Sequence, residues 1–427
     1  MSEVRADRPV RLVVTDDLVR SRWTVAFRLI LAIPVLVVYA IWTLAAIVAA
    51  VVAWLVVLAQ GRLGERLHDF LASYVRFTVR MNAYLHLAAD PWPGLGTVLS
   101  YPVVVEIDPP ARQRRWTAAL RLFLALPALL LAAATGGGGN LGWRSGWGVS
   151  GSGGTGATAA FLGWFASLAR GRMPRGLRDL ALYGIGYSAQ TLAYLLLLTD
   201  RYPDADPALA GPMALPEHPV RLELRDDLAR PRLLVFFRLL LALPHLVWIT
   251  LWTIAAVPAA VACWLAALLR GSVPRPLHRF LAAYVRYALH LGAFVYMVGG
   301  PFPGFVGAAG SYPVDVTLPP PERQGRWTIA FRIVLAIPAL ALAGAYGGIS
   351  LVVALLGWFS ALARGRMPRG MQRLGAASLR YQAQAFAYAL LLTGRYPYAA
   401  PALEDEGSAA SDEAAPTNGE APEPEAA

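Results

Sequence analysis

The chain has 427 residues, 57% of them hydrophobic and only 15% charged, with a mean hydropathy of +0.48. A soluble chain of this length carries more surface charge, so the composition excludes an ordinary globular domain and points to a multi-pass membrane protein. The net charge of +11 comes entirely from Arg, and the acidic residues crowd the stretch from Glu404 onward; between long apolar runs, that balance suits a positive-inside topology and anionic lipid headgroups rather than nucleic acid.

In chain order, one pattern is written four times. Its anchors are Trp23, Arg28, Pro34, Trp54, Gly61; Trp116, Arg121, Pro127, Trp164, Gly171; Leu233, Arg238, Pro244, Trp264, Gly271; and Trp327, Arg332, Pro338, Trp358, Gly365. The segments run 1–98, 99–210, 211–309 and 310–400, followed by an acidic, disordered tail over 401–427. Segments one and three resemble each other more than either resembles two and four, which suggests a duplicated two-segment unit. The first 22 residues are polar and unlike a signal peptide, so the N-terminus is expected in the cytoplasm.

Each segment opens on a short alternating stretch, such as Val10–Val14 and Val103–Ile107. Period-two alternation predicts short cytoplasmic strands between the helices. Four paired strands and four isolated linkers are both open.

An apolar stretch of 38 steps from Trp or Leu to Gly follows. As one helix it is about 57 Å long, nearly twice a bilayer core. In segment two the stretch is longer, and the excess falls in a Gly- and Ser-rich run, 136–156. A polar run cannot sit in lipid, so it predicts an external loop and a transmembrane hairpin. By repeat logic the hairpin extends to the other segments, with turns at Trp42–Thr43 and Trp252–Thr253.

Next come a basic Pro turn, Gly171-Arg-Met-Pro-Arg175 being one example, and a third helix. In segment one, Arg66, Asp69, Ser73, Arg76 and Arg80 fall at steps of three and four, a single helical stripe. An amphipathic interfacial helix on the inner surface accommodates Arg76 and Arg80; a third pass with interior-facing Arg is the alternative. Because the Arg clusters occupy the same position in every segment, an even number of crossings keeps all of them cytoplasmic. The fold expected is therefore all-α integral membrane: four tandem repeats, eight passes, both termini cytoplasmic, in the plasma membrane.

The combination Arg-Trp, Leu-Ala-Ile-Pro, Trp-Phe, Gly-Arg-x-Pro-Arg and Leu-Thr-Asp-Arg-Tyr-Pro, ending at Pro203, resembles a family of actinobacterial integral membrane proteins built on a domain of unknown function (DUF4389-like). The resemblance covers nearly all of 9–398. It implies a multi-pass plasma-membrane protein and no active site.

No catalytic constellation stands out. The six His residues lack metal-ligand spacing, Gly136–Gly139 lacks a phosphate-loop ending, and the single Cys263 excludes an internal disulfide. No enzyme activity, cofactor or metal is expected. Arg28, Arg121, Arg238 and Arg332 lie one to two turns into the first pass. They either snorkel to headgroups or ring the mouth of an anion pathway. With Arg76, Arg80, Arg172, Arg175, Arg366 and Arg369 they form the candidate lipid- or anion-facing set. Tyr187, Gln190 and Tyr194 match Tyr381, Gln384 and Tyr388 on one helix face, a candidate inter-repeat polar cluster. The function expected is a non-enzymatic scaffold or a lipid- or protein-partner-binding protein; the alternative is a small-solute or anion transporter or channel.

Overall fold

In a computed structural model, residues 8–95, 101–136, 154–209, 213 and 215–403 are described. The acidic tail and residues 137–153, the middle of the expected external loop, lie outside them. The first segment is strand β1 (Val10–Val14), helix α1 (Arg22–Gln60) and helix α2 (Glu65–Leu85). Residues 99–210 supply β2 (Val103–Ile107), α3 (Arg115–Ala119), α4 (Arg121–Gly136), α5 (Thr155–Arg170) and α6 (Arg175–Leu195). The third segment has β3 (Arg221–Leu224), α7 (Arg232–Phe236), α8 (Arg238–Arg270) and α9 (Arg275–Val295). The fourth has β4 (Val314–Thr317), α10 (Arg326–Ala330), α11 (Arg332–Arg364) and α12 (Arg369–Ala389).

The expected hairpin is not there. Helix α1 runs unbroken through Trp42–Thr43 and α8 through Trp252–Thr253, so the eight-pass count loses its basis. The run around Trp42–Thr43 holds neither Gly nor Pro, so nothing there breaks the hydrogen-bond ladder. Even the pair α4 and α5 is laid end to end. Arg121 at the start of α4 covers Tyr194 near the end of α6. Gly136 meets Gly184 and Ser188 at its middle, and Gly163 of α5 meets Met173 just before it. The two short helices thus follow α6 antiparallel from end to end, and Thr155 closes the join by donating its hydroxyl to the Thr135 carbonyl, 3.0 Å.

The repeated Gly has a plain cause. Gly61, Gly171, Gly271 and Gly365 each follow the last turn of a helix with φ between 67° and 76°, a left-handed cap in which a Cβ is penalised.

The repeated Trp ties segments together reciprocally. Trp54 Nε1 donates to the Ala118 carbonyl (3.0 Å) and Trp164 Nε1 to that of Val25 (2.9 Å). Trp264 donates to Ile329 (2.9 Å) and Trp358 to Val235 (3.1 Å). Each bond joins the C-terminal end of one long helix to the N-terminal end of its partner's. Within each pair of segments the long helices therefore run antiparallel. We expect Trp54→Phe and Trp164→Phe each to lower stability by about 1 kcal/mol, the net worth of a typical intramolecular hydrogen bond. Thermal unfolding in detergent checks this.

The strands pair the same way. β1 lies antiparallel to β2 (Leu12 opposite Val105) and β3 to β4 (Leu222 opposite Val316). Neither one four-stranded sheet nor four isolated linkers forms; two two-stranded ribbons do. Their inner residues, Val10, Val103 and Val105 in one unit, join the core formed by Leu71, Val75 and Val79 of α2 and Ile185 and Ala189 of α6. A separate core brings Leu131, Tyr183 and Tyr187 onto Ala339, Tyr346 and Tyr381, joining the second and fourth segments.

His218 stands just before β3, 7% exposed, and its Nδ1 accepts the Val220 N–H (3.1 Å). Burial pushes its pKa down to about 4. The unfolded chain therefore binds the proton first. This contribution to stability is complete above about pH 6.5 and falls as the pH drops toward 4. The melting temperature should decline over that window, and less so in His218→Gln.

Candidate functional site

The four repeated arginines share one environment. Arg28, Arg121, Arg238 and Arg332 are buried to 1–2% exposure. Each guanidinium lies over the aromatic ring that closes the 21-residue helix of its own segment. The distances are 4.3 Å to Tyr84, 4.1 Å to Tyr194, 4.4 Å to Phe294 and 4.0 Å to Tyr388. The ring face attracts the desolvated cation.

In three of the four, other donors serve the C-terminal end of the same helix, where orphan carbonyls concentrate negative charge. Arg28 donates to the Tyr84 and Ala89 carbonyls and to Asp90 Oδ1 (2.8 Å). Arg121 reaches the Thr199 carbonyl (3.1 Å) and Asp200 Oδ1 (3.0 Å). Arg238, where Gly300 stands in place of the acid, uses the carbonyls of Phe294, Gly299 and Gly300. Arg332 donates to Gln324 Oε1. They therefore neither snorkel to headgroups nor ring an open pathway. They are buried internal clamps, their donors directed at acceptors inside the fold.

A second clamp residue escaped the sequence reading as a set. Leu87, Leu197, Met297 and Leu391 take left-handed φ values of 57–66° just past the helix ends, a strained backbone for side-chain-bearing residues. Their carbonyls accept from Arg20 (2.9 Å), Gln113, Arg230 (3.2 Å) and Gln324 (3.0 Å) respectively. Each of these stands eight residues before a repeated Arg. That spacing was the available signal, hidden because Arg alternates with Gln. In the odd segments the clamp Arg is neutralised by Asp16 (2.7 Å) or Asp226 (2.6 Å).

The other candidates divide. Arg80 is buried and Arg76 half-buried on α2, whereas Arg172, Arg175, Arg366 and Arg369 are exposed. The polar cluster does not assemble as one site. Tyr187 and Tyr381 enter the core between segments two and four. Gln190 and Gln384 accept from the backbone N–H groups of Asp204 (3.2 Å) and Tyr398 (3.1 Å), fastening the loop that follows each helix. Tyr194 and Tyr388 lie beneath the clamp arginines and edge-on to Tyr202 and Tyr396.

What the described surface offers is basic helix ends beside exposed aromatics. Trp23, Trp116, Leu233 and Trp327 are 73–79% exposed at the start of the long helical stretches. Exposed Arg22 neighbours Arg170 and Arg172 at one end of the first unit, its guanidinium donating to the Ala169 carbonyl. At the other end Arg62 pairs through its backbone with Arg112, beside Arg114 and Arg115. Arg232 with Arg364 and Arg366, and Arg270 with Arg323 and Arg326, repeat this in the second unit.

Among the described residues, three helices are long and apolar enough to cross a membrane: α1, α8 and α11. The fold thus defines a helical protein of membrane-associating character with repeated, buried arginine clamps. The chain belongs to the family of the domain of unknown function DUF4389, which matches residues 22–94, 232–304 and 326–400, just over half of its length. No curated protein and no solved structure matches it.

Proposed function

We propose that this is a non-enzymatic plasma-membrane protein, a scaffold or lipid- and partner-binding protein whose exposed arginines hold anionic headgroups at the cytoplasmic face. Residues 99–210 are then a fourth, interrupted copy of the repeat, and both termini are cytoplasmic. The observation that carries this reading is the surface of α1 and α8. Each packs through a narrow stripe of small residues and leaves most of its Leu, Ile and Val exposed. Such a surface is far larger and more apolar than a soluble monomer presents. It ends in Arg beside Trp, the pairing found where hydrocarbon meets headgroups. The transporter reading loses support, since its Arg ring is consumed inside the fold.

The test replaces Arg172, Arg175, Arg366 and Arg369 together by Gln. Nanodiscs containing spin-labelled phosphatidylglycerol or phosphatidylcholine then report lipid preference. At about 1 kcal/mol, or roughly five-fold, per surface Arg, loss of all four should lower the anionic preference by up to several hundred-fold. An unchanged preference would sink the lipid-binding role.

A further inference from the structure

The 21-residue helices α2, α6, α9 and α12 are each about 31 Å long, the thickness of a hydrocarbon core. Were they to span, their midpoints would lie at the centre of the bilayer. The strand ribbons sit close to those midpoints. The Leu12 side chain of β1 rests on Gly186, in the middle of α6. Gln384 of α12 donates to the Val220 carbonyl beside β3 (3.0 Å). Asp315 of β4 pairs with Arg286 (3.4 Å) and His290 (2.9 Å) of α9.

The outward faces of these ribbons are charged. Arg11 bridges Glu106 (3.4 Å) and Asp108 (3.3 Å), with side chains 37–54% exposed. Arg225 bridges Glu223 (2.9 Å), likewise exposed. A two-stranded ribbon also has two open edges of backbone donors and acceptors. Hydrocarbon tolerates neither: a centrally placed charge costs about 3 kcal/mol even on the mildest scale, and unpaired backbone groups cost several more each. The ribbons must face water, and the helices beneath them must lie along the membrane surface.

The long helices lead to the same orientation independently. Because they run antiparallel within each unit, a spanning arrangement would put Arg62, Arg112 and Arg115 on the opposite face of the membrane from Arg22, Arg170 and Arg172. Lying in the plane, both groups reach one face, as the positive-inside bias requires. The apolar surfaces of α1 and α8 then point away from the ribbons into the acyl chains.

We propose that the protein is embedded in one leaflet of an anionic membrane. Its long helices lie along the bilayer rather than across it, and the strand ribbons form its water-facing surface. This rests on the membrane residence proposed above and names the surface that meets the lipid. Full-length protein carrying Cys263→Ala and, singly, Arg62→Cys, Arg172→Cys or Glu106→Cys is expressed and isolated in sealed vesicles of either orientation. An impermeant maleimide is added from outside. All three cysteines should label from the same side only. Labelling of Arg62→Cys and Arg172→Cys from opposite sides overturns the in-plane arrangement while leaving membrane residence intact. Protein that fails to float with the vesicles, and labels regardless of their orientation, overturns membrane residence itself. Bimane placed at Leu29, Leu44 and Leu55 of α1 supplies a second readout. Quenching by depth-resolved nitroxide lipids should report similar depths at all three, whereas depths that run from one headgroup region through the centre to the other overturn the proposal.

Discussion

Arg121→Ala is expected to destabilise the protein by about 3 kcal/mol, the low end of the cost of removing one partner from a buried ion pair, because the Asp200 side chain is 28% exposed. Arg121 is 2% exposed and holds the Thr199 carbonyl, Gln113 Oε1 and Asp200 Oδ1 at 2.7–3.1 Å. Its loss leaves Asp200 without its ion-pair partner, held only by the Thr117 hydroxyl and the Arg114 N–H, and Gln113 without the donor that orients it toward the Leu197 carbonyl, so the left-handed turn ending α6 loses its clamp. Adding Asp200→Asn to Arg121→Ala should recover part of the loss by removing the stranded charge. Arg238 has no carboxylate partner, so Asn at Gly300 offers no such rescue of Arg238→Ala. Thermal unfolding in a single detergent reads all of these, and a loss under 1 kcal/mol for Arg121→Ala would show that the clamp is not structural.

Gly184→Ala should be damaging although it adds one methyl group. A Cβ there would stand 2.6 Å from the Thr135 carbonyl oxygen, 3.1 Å from its carbon and 3.2 Å from the Gly136 Cα. All three are backbone atoms at the α4–α5 join, so no side chain can turn aside. Overpacking of this kind costs about 1–3 kcal/mol, and here it also strains the bond from Thr155. Gly344→Ala is the matched control: it lies within α11 with nothing within 4 Å of its Cβ position. Better helix propensity should make it stabilising by up to about 1 kcal/mol. Opposite signs for one chemical change are the expected result; the same sign would mean that propensity, not packing, governs Gly184.

Much of the local structure was legible because its causes are local. The amphipathic third helix and the four short strands follow from period 3.6 and period 2 respectively. The hairpin was misread for a definable reason. An apolar run of 38 steps has the same composition whether it is one helix or two, and the interruption in residues 136–156 was extended to segments that lack it. The clamp arginines were found as residues and misjudged in role. For Arg28, Arg121 and Arg238 the helix-end acceptors lie 56–79 positions away, among carbonyls that appear in no motif.

By itself the sequence determined the repeated pattern, the short strands, the amphipathic third helix and the apolar character of the long stretches, since each depends on neighbours within a turn or two. Tertiary structure decided how segments pair: antiparallel, through reciprocal Trp bonds and strand ribbons, with arginine turned inward. Those outcomes depend on which helix end meets which. That is a competition among distant carbonyls, carboxylates and rings for the same guanidinium, and it is settled only when the chain has folded.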